Sequence, residues 1–198
     1  MGFFDFIRVD SANKVVQDIG QFNWNVASTL PDGKERQQLI EKGWKRINAV
    51  IEDTPICGNA YLLRAHYQEL FGKKQEALED YNKAEQLEVS DAGDYFTLVQ
   101  HRGRLKREMK DYAGAEEDFS AAIELREKTD VIISPSPSAL HIQRGVLRRF
   151  MKKWSESEKD YEYAISHGNG GERKEGEHYL RLLKIEIELE KDKKKKKG

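Results

Sequence analysis

Three stretches of this chain superpose on one another without a gap. They are "LRAHYQELFGKKQEALEDYNKAEQL" (63–87), "HRGRLKREMKDYAGAEEDFSAAIEL" (101–125) and "QRGVLRRFMKKWSESEKDYEYAISH" (143–167). Ala65, Gly103 and Gly145 share one place, and sixteen residues later stand Tyr81, Phe119 and Tyr161. Ala84, Ala122 and Ala164 follow three residues after the aromatics, and Ala77, Ala115 and Ser157 precede them by four. An internal repeat of this length is one supersecondary unit, which buries its apolar face only by stacking on its neighbours.

The spacing has a direct physical meaning. Two antiparallel helices approach closely when one offers a small side chain where the other offers a ring. A glycine inside a helix costs about 1 kcal/mol relative to alanine. Burying an aromatic, which removes roughly 150–250 Å² from water, offsets that cost. Each unit therefore reads as a leading helix carrying the small residue and a trailing helix carrying the ring. Leading helices are expected at 58–71, 94–109 and 138–151, and trailing helices at 74–88, 112–128 and 154–167.

This small–aromatic–small pattern resembles the tetratricopeptide repeat, a helix–turn–helix unit of about 34 residues. The resemblance covers residues 58–167. It reaches back to "KGWKRINAVIEDTP" (42–55), which is similar to the trailing helix of a preceding unit, with Ile47 at the aromatic place, Val50 at the small place and Pro55 at the helix-ending place. It implies an all-α fold, a right-handed superhelical array of antiparallel helix pairs.

The expected organisation is a non-repeat segment at 1–33, a partial leading repeat helix at 34–57, and repeat units at 58–93, 94–137 and 138–170. A capping helix at 177–190 and a disordered lysine-rich tail at 191–198 follow. "SDAGD" (90–94) and "SPSPS" (134–138) read as linkers, and "GNGGERKEG" (168–176) as a longer flexible one. Phe3, Phe4, Phe6 and Ile7 make the chain start apolar. That end reads either as a helix covering the array or as a docking element, and the aromatic run "FNWNVASTL" (22–30) lies beside it.

Arg64, Arg102 and Arg144 each precede the small residue, while Asp80, Asp118 and Asp160 each precede the aromatic. The expectation is an ion pair between the two helices of each unit rather than a row of ligand-binding arginines, because an Arg fork matches a carboxylate well.

Composition narrows the function. Apolar residues make 38% of the chain and charged residues 35%, which suits helices with wet outer faces. Net charge is −1, so the chain as a whole is no nucleic-acid footprint. The charge is uneven, since residues 191–198 hold six lysines and one aspartate. Cys57 is the single cysteine, which rules out an internal disulfide and fits a reducing, cytoplasmic setting. No apolar run reaches the roughly 18 residues of a membrane span. "MGFFDFIRVD" is not expected to be a secretory leader, and Phe6 breaks the myristoylation pattern.

No catalytic, cofactor or metal motif is expected. His66, His101, His141, His167 and His178 form no helical metal pair with an acid partner. "GNGGERKEG" lacks both the preceding strand and the Gly-Lys-Ser/Thr ending of a phosphate loop. The resemblance implies instead that leading helices line a groove for an extended peptide or a helix. Helical spacing then selects Asn59, Leu62, His66 and Glu69 in the first unit. It selects Thr97, Gln100, Arg104 and Arg107 in the second, and Ala139, Ile142, Val146 and Arg149 in the third. Relatives that grip a C-terminal carboxylate use Lys and Asn at set places, where this chain holds Leu62, His66 and Gln100. The expected role is an adaptor for a protein or peptide, with an acidic group meeting the arginines. The alternative is an assembly or membrane-anchoring component that docks through its aromatic N-terminus or lysine tail.

Overall fold

A computed structural model of the chain describes residues 3–21, 29–129 and 134–195. The described residues form nine helices and no strand. They are α1 (Phe3–Ile19), α2 (Lys34–Asp53), α3 (Gly58–Leu70), α4 (Lys74–Gln86), α5 (Ala92–Glu108), α6 (Tyr112–Lys128), α7 (Pro137–Phe150), α8 (Trp154–His167) and α9 (Gly170–Lys195). The leading helices are therefore α3, α5 and α7, and the trailing helices α4, α6 and α8, each within two residues of the expected bounds. The chain divides into two compact units, residues 1–98 and 99–198.

In the first unit, α3 and α4 pack as an antiparallel pair, α2 packs on α3, and α1 packs on both α2 and α3. Ala65 and Tyr81 are completely buried, as are Ala77 and Ala84. Ala12, Val16 and Ile19 of α1 join Ile47, Ile51, Cys57, Ala60, Leu63 and Tyr67 in one apolar cluster. The N-terminal helix thus packs its C-terminal half against the first repeat. Its N-terminal half is different: Phe6 is 62% and Ile7 48% exposed. The side chains of Phe3 and Phe4, and residues 22–28 of the aromatic run, lie outside the described residues.

In the second unit α6 packs on α7, α7 on α8, and α9 on both α7 and α8. A Cβ built on Gly103 would stand 3.0 Å from Asp118 Cβ and 3.5 Å from Phe119 Cζ. One built on Gly145 would stand 2.7 Å from Tyr161 Cε1. These are the ring-into-hollow contacts the spacing requires.

Each leading helix ends the same way, in a left-handed residue seven places after its small residue. These are Gly72, Lys110 and Lys152, with φ of 70°, 67° and 58°. Lys73, Asp111 and Lys153 then donate back to the carbonyls of Gln68, Lys106 and Arg148 at 2.8–2.9 Å. Three Schellman turns therefore fix the angle at which each trailing helix leaves.

Two expectations need correction. Residues 170–176 are not a flexible linker, because α9 starts at Gly170. Asn169 and Glu172 make a reciprocal cap there: Asn169 Oδ1 accepts from the amides of Gly171 and Glu172 at 2.9 and 3.1 Å, and Glu172 Oε2 accepts from the Asn169 amide at 2.9 Å. The same helix runs on through residues 191–195, so the start of the lysine tail is helical rather than disordered, and residues 196–198 lie outside the described ones. The linker prolines have a plainer role. Pro137 opens α7, and Ser136 Oγ caps it by accepting from the Ala139 amide at 3.1 Å.

Candidate functional site

The three Arg–Asp pairs all form. Arg64 meets Asp80 through two bonds of 2.7 Å. Arg102 Nη2 meets Asp118 Oδ1 at 2.7 Å, and Arg144 Nη2 meets Asp160 Oδ1 at 2.7 Å. The pairs are enclosed: Arg102 is 5% and Asp118 3% exposed. The Asp80 hydrogen bonds raise the Arg64 guanidinium above its usual range, against the opposing effect of burial.

The second unit enlarges the scheme. Lys106 reaches Asp118 at 2.9 Å, and Arg148 reaches both Asp160 at 2.9 Å and Glu116 at 2.7 Å. His141 Nδ1 lies 2.8 Å from Asp160 Oδ1, with its ring stacked on Tyr163. Burial pushes the Asp160 carboxyl up, but the hydrogen bonds from His141 and Arg144 and the charges of Arg144 and Arg148 outweigh it and hold the group below the usual carboxylate range. These residues are tied up in ion pairs within the helix pairs.

In the first unit four of the expected groove residues come together. Asn59, Leu62, His66 and Thr97 line a cleft of about 170 Å³, with Leu63 and Asp94 beside them. Val16 and Gln17 of α1, with Gly20 just past its end, close its far side. Leu62 and Leu63 are buried and make the floor. Asn59 is committed to its neighbours: Nδ2 donates to Asp94 Oδ2 at 2.8 Å, and Oδ1 accepts from the Ser90 amide at 3.0 Å. Thr97 Oγ1 donates to the Gly93 carbonyl at 2.9 Å. Glu69 does not line the cleft, and its carboxylate accepts the Tyr81 hydroxyl.

In the second unit Gln100, Arg104 and Arg107 are half-buried on α5, with Arg104 Nη2 3.2 Å from His101 Nδ1. Ile142 is buried, while Ala139 and Val146 are half-buried on α7. Arg149 turns to the last helix. Its Nη1 is 3.4 Å from Glu186 Oε1, and its guanidinium lies over the rings of Phe150 and Tyr179. It lines a different cleft, of about 260 Å³, with Phe150, Trp154 and Leu189.

The contribution of α1 to the first cleft escaped the sequence reading, because α1 lies outside the repeat alignment and carries no register. Asp94 escaped it because "SDAGD" reads as a linker. In fact Asp91 caps α5 by accepting from the Asp94 amide at 2.9 Å, which turns the Asp94 side chain back onto α3. Among the described residues no group of three or more His, Cys, Asp or Glu side chains is placed to hold a metal ion. No described helix is long and apolar enough to cross a membrane.

No protein-family model and no curated protein matches the chain by sequence. Solved structures do match it. A tetratricopeptide repeat protein from Parabacteroides merdae aligns with a TM-score of 0.64 and 14% identity over 88% of this chain, and this chain spans only 62% of that one. MamA aligns with a TM-score of 0.54 and 19% identity over 83% of this chain and 95% of its own. BtubC from P. vanneervenii aligns with a TM-score of 0.55 and 13% identity over 94% of this chain and 93% of its own. At these identities the likeness speaks for the fold. Together with the buried small–aromatic places and the helix order, it identifies the chain as an all-α solenoid of the tetratricopeptide-repeat type.

Proposed function

We propose that this chain is a non-catalytic adaptor that holds a protein or peptide segment in a concave groove lined by its leading helices, in a reducing, cytoplasmic setting. The observation that carries this reading is the division of labour among polar residues. The repeated arginines and aspartates are consumed inside each helix pair. Of the other leading-helix side chains, His66, Thr97, Gln100, Arg104, Arg107 and Val146 are half-exposed while Asn59, Leu62 and Ile142 are buried, and in the first unit Asn59, Leu62, His66 and Thr97 line an open cleft. A cleft with an apolar floor and a polar rim suits one anchoring side chain of a longer ligand. On α5, the guanidinium groups of Arg104 and Arg107 have the shape to meet a carboxylate.

The test is capture of partners by the full chain, identified by mass spectrometry, with Arg104→Glu/Arg107→Glu as the comparison. The adaptor reading expects the specific partner to be lost in the double variant while helicity and melting temperature are kept. Partners retained by the double variant would remove the arginines from the site.

One observation favours a second reading, the docking component. Phe6 and Ile7 stand exposed on α1, and lysines crowd the exposed end of α9. Under that reading, removal of residues 1–10 or 191–198 releases the chain from its complex, whereas the arginine double variant stays bound.

A further inference from the structure

We propose that the cleft of the first unit receives a cationic side chain, a lysine or arginine of the bound segment, with its methylene stem on the apolar floor and its charge on Asp94. This deepens the adaptor reading and rests on it, by naming the chemistry of one anchor.

Among the described residues that line the cleft there is no lysine or arginine, and the one basic group is the His66 imidazole. Asp94 is the one carboxylate among them and is half-buried. Its Oδ2 accepts from two neutral donors, Asn59 Nδ2 at 2.8 Å and Ser90 Oγ at 2.6 Å. Among the described residues no cation pairs with it. The repeat aspartates behave otherwise, since Asp80, Asp118 and Asp160 each face an arginine. A carboxylate held in place by neutral bonds beside a partly dry floor attracts a cation more strongly than one in open water.

The shape agrees. Val16, Leu62 and Leu63 supply an apolar surface along which an aliphatic stem can lie, as lysine and arginine stems do. Gly20 lines the cleft, and among the described residues a Cβ added to it would meet nothing within 4 Å, so this end of the cleft is open. About 170 Å³ accommodates one side chain rather than a whole ligand.

The experiment titrates the full-length, ¹⁵N-labelled chain at constant ionic strength with three blocked amino acids: N-acetyl-lysine, N-acetyl-norleucine and N-acetyl-glutamate N-methylamides. The backbone amides of Gly20, Leu63 and Thr97 report occupancy. The lysine probe is expected to give saturable shifts, to bind about two- to fivefold more tightly than norleucine, and to outcompete glutamate, which gives none. Asp94→Asn is expected to reduce lysine to the norleucine level and leave norleucine unchanged. Gly20→Leu, which fills the cleft without touching Asp94, is expected to abolish both. Norleucine binding as tightly as lysine, an unchanged lysine affinity in Asp94→Asn, or no saturable lysine shift would each overturn the proposal. Because the probes need no partner, such a failure is distinct from failure of the adaptor reading, which the arginine double variant tests.

Discussion

Gly145 and Tyr161 lie so close that a Cβ at position 145 would stand 2.7 Å from Cε1 and 3.1 Å from Cδ1 of the ring. The ring is fully buried and cannot swing away. Gly145→Ala should therefore destabilise the second unit despite the better helix propensity of alanine. Overpacking costs about 1–3 kcal/mol, and propensity returns at most about 1 kcal/mol. Gly103→Ala meets Asp118 Cβ at 3.0 Å and the Phe119 ring only at 3.5 Å, so its penalty should be smaller. Urea denaturation of the two variants should give that order, and a stabilised Gly145→Ala would contradict the hollow.

Asp118 answers to two cations, Arg102 at 2.7 Å and Lys106 at 2.9 Å. Removing the carboxylate takes this counter-charge from both in an enclosed setting, whereas removing Arg102 leaves Lys106 to neutralise Asp118. Asp118→Asn should cost about 3–5 kcal/mol, the range for breaking a buried pair from one side. Arg102→Met should cost clearly less. Equal losses in equilibrium unfolding would mean that Lys106 contributes nothing to the pair.

The turns give a prediction in the opposite direction. Lys110 occupies the left-handed place that Gly72 fills in the first unit, with φ of 67°. An L-residue there pays roughly 1–2 kcal/mol that glycine avoids, part of which glycine gives back through the freer unfolded chain. Lys110→Gly should raise stability by about 0.5–1 kcal/mol and shift the urea midpoint up with an unchanged slope.

How far the fold could be read from the chain follows from the same residues. Gly103 and Gly145 announce themselves because a helix tolerates glycine badly without a reason, and their sixteen-residue distance to a ring gives that reason. The Arg–Asp pairs announce themselves by the same distance. Lys110 and Lys152 do not, because lysine is an ordinary helix residue and only the backbone reveals the turn. The cap at Asn169 and Glu172 was legible in principle, since Asn followed three residues on by Glu is a helix-start signature, but the surrounding glycines suggest a loop instead. Helical spacing grouped Asn59, Leu62, His66 and Thr97, which do line one cleft. It could not find α1, which has no repeat partner, nor the diversion of Arg149 toward Glu186 and Tyr179 on a helix of different register.

Acid should weaken the second unit through Asp160. Its folded carboxyl titrates below the unfolded value of about 3.9. The stabilisation is therefore complete above that value and is lost as pH falls through the folded one. Asp160→Asn should be less stable at pH 7, because Arg144 loses its counter-charge and Arg148 is left with Glu116 alone, and should show a shallower loss as pH falls below about 4. Glu116 is also held below its usual range: burial opposes the shift, and Lys153 and Arg148 produce it. The slope should therefore flatten further, without vanishing, in the Glu116→Gln/Asp160→Asn double variant. Parallel urea titrations across that window decide the matter, and an unchanged acid slope would separate the two carboxylates from acid unfolding.

Cys57 reports on whether α1 is a cap or a loose appendage. The thiol is fully buried in the cluster that α1 completes, and it donates to Asn13 Oδ1 of α1 at 3.2 Å. Burial pushes its ionisation up, against hydrogen bonds from the amides of Ala60 and Asn59. Alkylation thus needs both access and ionisation, and in the intact chain it must wait for opening. Ile19 is fully buried in the same cluster. Ile19→Ala should cost about 2–5 kcal/mol, and each 1.4 kcal/mol drawn from the docking of α1 multiplies the open population about tenfold. Iodoacetamide should therefore modify Cys57 at least tenfold faster in Ile19→Ala than in the native chain under native conditions. In a denaturant that unfolds both proteins the two rates should coincide. If the native thiol reacts at the denatured rate, α1 does not cover it, and the cleft that Val16, Gln17 and Gly20 help to form would lose its far wall.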